Sequence, residues 1–213
     1  GQFSLVAFTA LAVVLGLLGV LFWFGRPRPA RWAYLVAVSL PVLVALVAAT
    51  PGAIRVSQRV DDGDLGERLI EGNGVTLRWA PAGPGWPQGG PGVTWAQADS
   101  TCRRLTADGK TVASDSQRTW RLPTVDELVR SMVHHGANAG GSWDPGTASA
   151  SYAVRPDKET PLWNPHSMVI YWWTATEVDA DHVYRIGYDG AVVVVPKDLA
   201  PDYLGFRCVA PPR

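Results

Sequence analysis

Residues 119–128 read Thr-Trp-Arg-Leu-Pro-Thr-Val-Asp-Glu-Leu, "TWRLPTVDEL". Leu122-Pro123 halts an extended segment, because proline bars its predecessor from helical backbone. Thr124-x-x-Glu127 is a capping box, in which two side chains satisfy the free amides at a helix start. The stretch predicts a strand-to-helix corner built from Trp120, Arg121, Leu122, Pro123, Thr124 and Glu127. The helix should reach about His134, with Val125, Leu128 and Met132 inward. Asp126 and Glu127 invite reading as a catalytic pair, but first-turn acids suit the positive end of a helix dipole.

Working outward, Thr94-x-x-Gln97 is a second capping box. Trp95, Ala98, Cys102 and Leu105 then fall on one helix face, which puts Cys102 on the apolar side. Before it, Val75–Trp79 alternates as a strand does. Residues 81–92 contain nine Pro or Gly in twelve and form an irregular loop. Residues 136–168 are rich in Gly, Ala, Ser and Pro, and a loop of that length is usually functional or poorly ordered. Strand patterns return at 169–174, 183–188 and 191–195, the last two flanking the hairpin turn Asp189-Gly190. A final strand spans 205–209. Two early helices before a small antiparallel sheet make an α+β plan.

The charge is unevenly placed. Residues 1–50 hold three arginines and no acid, leaving 16 basic against 19 acidic residues in the remainder. That remainder has no basic footprint for nucleic acid. Ten tryptophans, eight of them after residue 78, predict a Trp-rich core. Two cysteines, Cys102 and Cys208, are enough for one disulfide in an oxidising compartment.

Residues 3–24 and 32–50 carry no Asp, Glu or Lys and are each close to the roughly 20 apolar residues a bilayer requires. The link between them, 25–31, holds Arg26, Arg28 and Arg31 and is flanked by aromatic residues, an arrangement that predicts a cytoplasmic loop. The expectation is a two-helix transmembrane hairpin over 1–50 in a bacterial inner membrane. A juxtamembrane linker over 51–66 and an extracytoplasmic domain over 67–213 would follow. Residues 26–50 also fit a signal-peptide pattern. Ala33, Ala37, Pro41, Ala45 and Ala49 recur every four residues, and Ala12, Gly16 and Gly19 form a shorter stripe. Such stripes let membrane helices pack closely, so the expected partners are integral membrane proteins and lipid.

Trp95…Cys102, "WRLPT" with Glu127-Leu128, "YWWTATE" (171–177), "YRIGYDG" (184–190) and "GFRCV" (205–209) together resemble the Lcl C-terminal domain family. This is a bacterial domain related to the formylglycine-generating-enzyme superfamily. The resemblance covers roughly residues 70–213 and rests on the ordered set of motifs. It implies a C-type-lectin-like fold with paired terminal strands and Cys102 bridged to Cys208. The apolar settings of both cysteines, and the lack of any other, agree with that pairing.

The enzymatic relatives oxidise a sulfatase cysteine with two cysteines close together near the C-terminus, where this chain has only Cys208. An oxidase is therefore not expected. His134-His135 lacks a histidine at helical spacing for zinc. Glu177, Asp179 and Asp181 are calcium candidates, weighed against a solvated acidic loop. No cofactor is expected. Two functions remain: a non-catalytic accessory subunit of a larger membrane complex, or a tethered receptor or adhesin domain. The latter would bind a glycan or protein ligand through the 136–168 loop.

Overall fold

A computed structural model describes residues 31–213. The chain divides into two compact units, 1–58 and 59–213. In the first, helix α1 (Arg31–Ser57) is the described element.

The membrane hairpin is corrected here. Among the described residues no helix is long and apolar enough to cross a membrane, and no two-helix hairpin occurs. The helix runs on past Ala49 through Thr50, Pro51, Gly52, Arg55 and Ser57, and an arginine inside a spanning helix is costly. The transmembrane assignment falls, and with it the two-pass inner-membrane location and the periplasmic domain that depended on it. The span over 3–24, with Ala12, Gly16 and Gly19, lies outside the described residues. The side chains of Ala33, Ala37 and Pro41 do as well, while Ala45 is half-buried and Ala49 exposed. Helix α1 also runs through the first seven residues of the stretch read as linker, 51–57.

The expected α+β plan is likewise corrected, because unit 59–213 is mostly β. It holds eleven short strands in four sheets and two helices, α2 (Trp95–Arg104) and α3 (Val125–Ser131). Strands β1 (Arg68–Glu71) and β2 (Thr76–Trp79) pair antiparallel, and β11 (Val209–Ala210) joins the other side of β2. The larger sheet runs β10 (Leu204–Gly205), β7 (Tyr171–Glu177), β8 (His182–Gly187), β9 (Val192–Pro196). In it β10 is parallel to β7 and the other pairs are antiparallel. The turn between β8 and β9 uses Gly190 at φ +82°, backbone that glycine enters without steric cost.

Three local expectations changed. Helix α3 stops at Ser131 rather than near His134, and Met132 is its C-cap with extended backbone. Val133–His134 instead forms β3, which pairs with β4 (Ala137–Asn138). The stretch 136–168 is also more ordered than its composition suggests, since Ser142–Asp144 (β5) and Ser149–Ser151 (β6) form a second hairpin. The single strand expected at 205–209 splits between two sheets, β10 on β7 and β11 on β2.

Both helices start at capping boxes, Thr94 with Gln97 and Thr124 with Glu127. Six of the tryptophans, Trp79, Trp86, Trp120, Trp163, Trp172 and Trp173, are buried. Trp163 stacks on Trp172 with centroids 4.2 Å apart, and Trp79 approaches Trp172 at 6.1 Å. The Trp120 and Trp173 indoles donate to the carbonyls of Thr106 and Val93. Cys102 and Cys208 are disulfide-bonded and fully buried, joining α2 to the residue before β11.

That bridge closes a loop of 106 residues. Replacing both cysteines by serine should therefore cost on the order of 4–5 kcal/mol in the chain-entropy account. Denaturant unfolding of the double variant against the oxidised protein measures it, and protein purified without reductant should show no free thiol.

Candidate functional site

The TWRLPT corner can be followed atom by atom. Arg121 exchanges both backbone hydrogen bonds with Val209, at 3.0 and 2.8 Å. Its guanidinium grips Glu127 with two contacts, 2.7 and 2.5 Å. Pro123 C=O accepts from Ala175 N–H, and the Thr176 hydroxyl accepts from Val125 N–H. The Glu127 carboxyl is half-buried, which opposes its charge. The Arg121 and Thr124 hydrogen bonds outweigh burial and hold it below the usual carboxylate range. Asp126 is paired with Arg130 at 2.8 Å. The Arg121–Val209, Ala175–Pro123 and Val125–Thr176 bonds thus join the corner to β11 and β7.

The calcium candidates are engaged differently. Glu177 is bound by Lys197 Nζ at 2.6 Å, and the same ammonium donates to the carbonyls of Asp179 and Ala180. The Asp179 carboxylate accepts from the amides of Asp181 and His182 and contacts His182 Nδ1 at 2.9 Å. These bonds keep its pKa lowered. Among the described residues no group of three or more His, Cys, Asp and Glu side chains is gathered as a metal site requires.

The most unusual chemistry lies where the loop composition conceals it. Asp157, Lys158, Glu159 and Thr160 are consecutive, and none is more than 4 % exposed. Burial of charge is costly unless each group is partnered. Asp157 Oδ1 accepts from Arg59 Nε and Nη2 at 3.0 and 2.8 Å. Lys158 donates to the Ser167 carbonyl, and burial, aided by the Arg59 charge, pushes its pKa down to about 8. Glu159 Oε2 accepts from Gly136 N–H at 2.8 Å, and Oε1 lies 3.5 Å from His135 Nδ1. His135 occupies the β3–β4 turn at φ +49°, a strained conformation for a residue other than glycine, with its ring 3.9 Å from that of His134.

The adjacent histidines therefore lie ring to ring, not splayed on a helix, and His135 meets a buried carboxylate. Two further charges turn inward with no local signal for it in the sequence. Arg59 sits in a stretch read as linker. Arg207 is fully buried, stacked 3.6 Å from the Trp86 centroid, with Nε donating to Ala80 C=O. Three successive charges within a Gly- and Pro-rich loop, ahead of the apolar Leu162-Trp163, were the available signal. Nothing in the periodicity showed that they turn inward.

No protein-family model matches this chain, and no curated protein matches it in sequence.

Lys158 carries a pH prediction. A lysine whose folded pKa is depressed penalises the fold wherever it must be protonated, fully below about pH 8. The penalty fades as pH rises toward the unfolded value of 10.5. Tyr152, whose pKa is raised by burial, reverses the trend once unfolded tyrosines ionise near pH 10. Stability in urea should therefore rise between pH 8 and about 9.5, and Lys158→Met should flatten that rise.

Proposed function

We propose that this chain is a non-catalytic accessory subunit of a larger protein assembly. Helix α1 would dock on an apolar surface of a partner, and residues 59–213 would act as a rigid covering module. One observation carries the reading. Leu40, Val42, Leu43, Val44, Leu46, Val47, Ile54 and Val56 of α1 are all between 50 and 63 % exposed. A helix apolar on every side is ordinarily one that other apolar matter covers, and exposed patches of this kind mark interaction surfaces. Each such side chain gains roughly 1–2 kcal/mol when its exposed part is buried.

The non-catalytic part rests on how the polar groups are used. The corner carboxylate Glu127 and the buried Asp157 are each committed to an arginine. Cys208 is consumed in the disulfide, which speaks against the paired-cysteine oxidation of the enzymes in the resembled superfamily. Kinship with the Lcl C-terminal domain family belongs to the same proposal. It is supported by the pairing of β2 with β11 and by the Cys102–Cys208 bridge.

A second reading, a glycan or protein ligand on the 136–168 loop, draws on the β5–β6 hairpin. Ser142, Asp144, Ser149 and Ser151 face solvent there, while Trp143 and Ala150 pack on the core. Asn73 Nδ2 holds Gly141, and the Tyr152 hydroxyl donates to Gly190 C=O, so the hairpin's polar face is preorganised.

The test is native purification of the tagged full chain, followed by mass spectrometry of what stays bound. A stoichiometric partner should be retained by the wild type and lost in a Leu43→Asp/Leu46→Asp variant, with the disulfide and thermal unfolding of residues 59–213 unchanged. An unaltered partner set, or a lone monomer, refutes the docking role. Copper-dependent oxidation of a sulfatase-type cysteine peptide by the purified chain refutes the non-catalytic one.

A further inference from the structure

Residues 59–66 have no regular secondary structure, and most of them are exposed. Yet they are laid against residues 157–166 by a row of polar contacts. Arg59 binds Asp157. The Val60 carbonyl accepts from both the amide and the hydroxyl of Thr160, at 3.2 and 3.0 Å. Asp62 N–H donates to the same hydroxyl at 3.3 Å, and Asp61 meets His166 at 2.6 Å. At the far end Leu65 C=O accepts from Ala82 N–H, and Arg68 ties back to Asp62 at 2.6 Å.

We propose that residues 59–66 form a releasable strap, closed in this structure, that keeps the charged Asp157–Thr160 segment and the Lys158 amine out of solvent.

The strap and the segment beneath it are held in opposite ways. The apolar strap residues Val60 and Leu65 remain 36 and 38 % exposed, so little hydrophobic burial holds the strap down. Asp157, Lys158, Glu159 and Thr160 beneath it are almost completely covered. A segment with few buried apolar contacts belongs to the low-stability end of a fold and opens before the core does. Its opening takes the Arg59 guanidinium from Asp157 and the Val60 and Asp62 partners from Thr160 at once, so both ends of the segment, with Lys158 and Glu159 between them, lose the same cover. The covering and covered segments are coupled by the same bonds.

Helix α1 ends at Ser57, and Gln58 alone separates it from Arg59 in the chain. The inference does not depend on the proposed assembly role, because the contacts lie within residues 59–213.

Hydrogen exchange on the full chain tests it, comparing wild type with Arg59→Ala, Thr160→Val and a control, Arg103→Ala, which removes an exposed pair on α2. Each strap variant should speed exchange at least about tenfold in 59–66 and in 157–160 together, with β7–β9 unchanged. An amine-acylating reagent should label Lys158 faster in both variants, while exposed Lys110 and the control stay at the wild-type rate. Faster exchange in 59–66 with Lys158 still protected would reduce the segment to a tail lying on the surface. Equal loosening of β7–β9 would make it part of the core, and no change in either variant would show that its contacts hold nothing. Any of the three overturns the proposal.

Discussion

The fold of residues 59–213 depends on where seven residues near the C-terminus are held. Leu204 and Gly205 pair in parallel with Tyr171 and Trp172 of one sheet. Val209 and Ala210 pair with Trp79 and Arg78 of another, and Val209 also exchanges two bonds with Arg121. Between them Arg207 is buried among tryptophans, and Cys208 is bonded to helix α2. One short segment therefore joins both sheets, a helix and the TWRLPT corner. A glycine is required at 205, since a Cβ there would meet Val169 Cγ1 at 2.8 Å. Segments this distant in sequence pay a loop-closure cost before they contribute, which the disulfide lowers by restricting the unfolded chain.

The interior so closed is unusually polar for its size. Arg207 and the Asp157–Thr160 run are all buried, and their partners are mainly backbone carbonyls and amides contributed by loops. Burying such groups adds little net stability compared with apolar residues of similar volume. Leaving one without its partner is far more costly. Segments 59–66 and 136–168 are tied to the charged interior by hydrogen bonds, which in 136–168 act beside the β3–β4 and β5–β6 pairings.

Helix α1 presents the converse problem. Its exposed side chains are apolar, whereas the unit that follows exposes chiefly polar ones. On the proposed reading the domain folds around its own core and the helix offers apolar area to a partner. Attaching that helix one residue from Arg59 places the apolar surface and the polar strap in direct covalent succession.

Local chemistry was readable in the sequence, because each signal acts within a few residues. Both capping boxes, the Asp189-Gly190 turn, the inward face of α2 with Cys102, and the Trp-rich core follow from short-range hydrogen bonding and periodicity. Long-range outcomes were not. The end of α3 at Ser131 is decided by the pairing of Val133–His134 with Ala137–Asn138, which overrides a favourable helical pattern. The division of 204–210 between two sheets depends on partners more than thirty residues away. Over residues 32–50 apolar composition alone suggested a membrane span, whereas the described helix runs on through Pro51, Gly52 and Arg55. The buried charges are the clearest case. Residue type assigns Asp157, Lys158 and Glu159 to the surface, and only the tertiary structure supplies the Arg59 guanidinium, the Ser167 carbonyl and the Gly136 amide that let them turn inward.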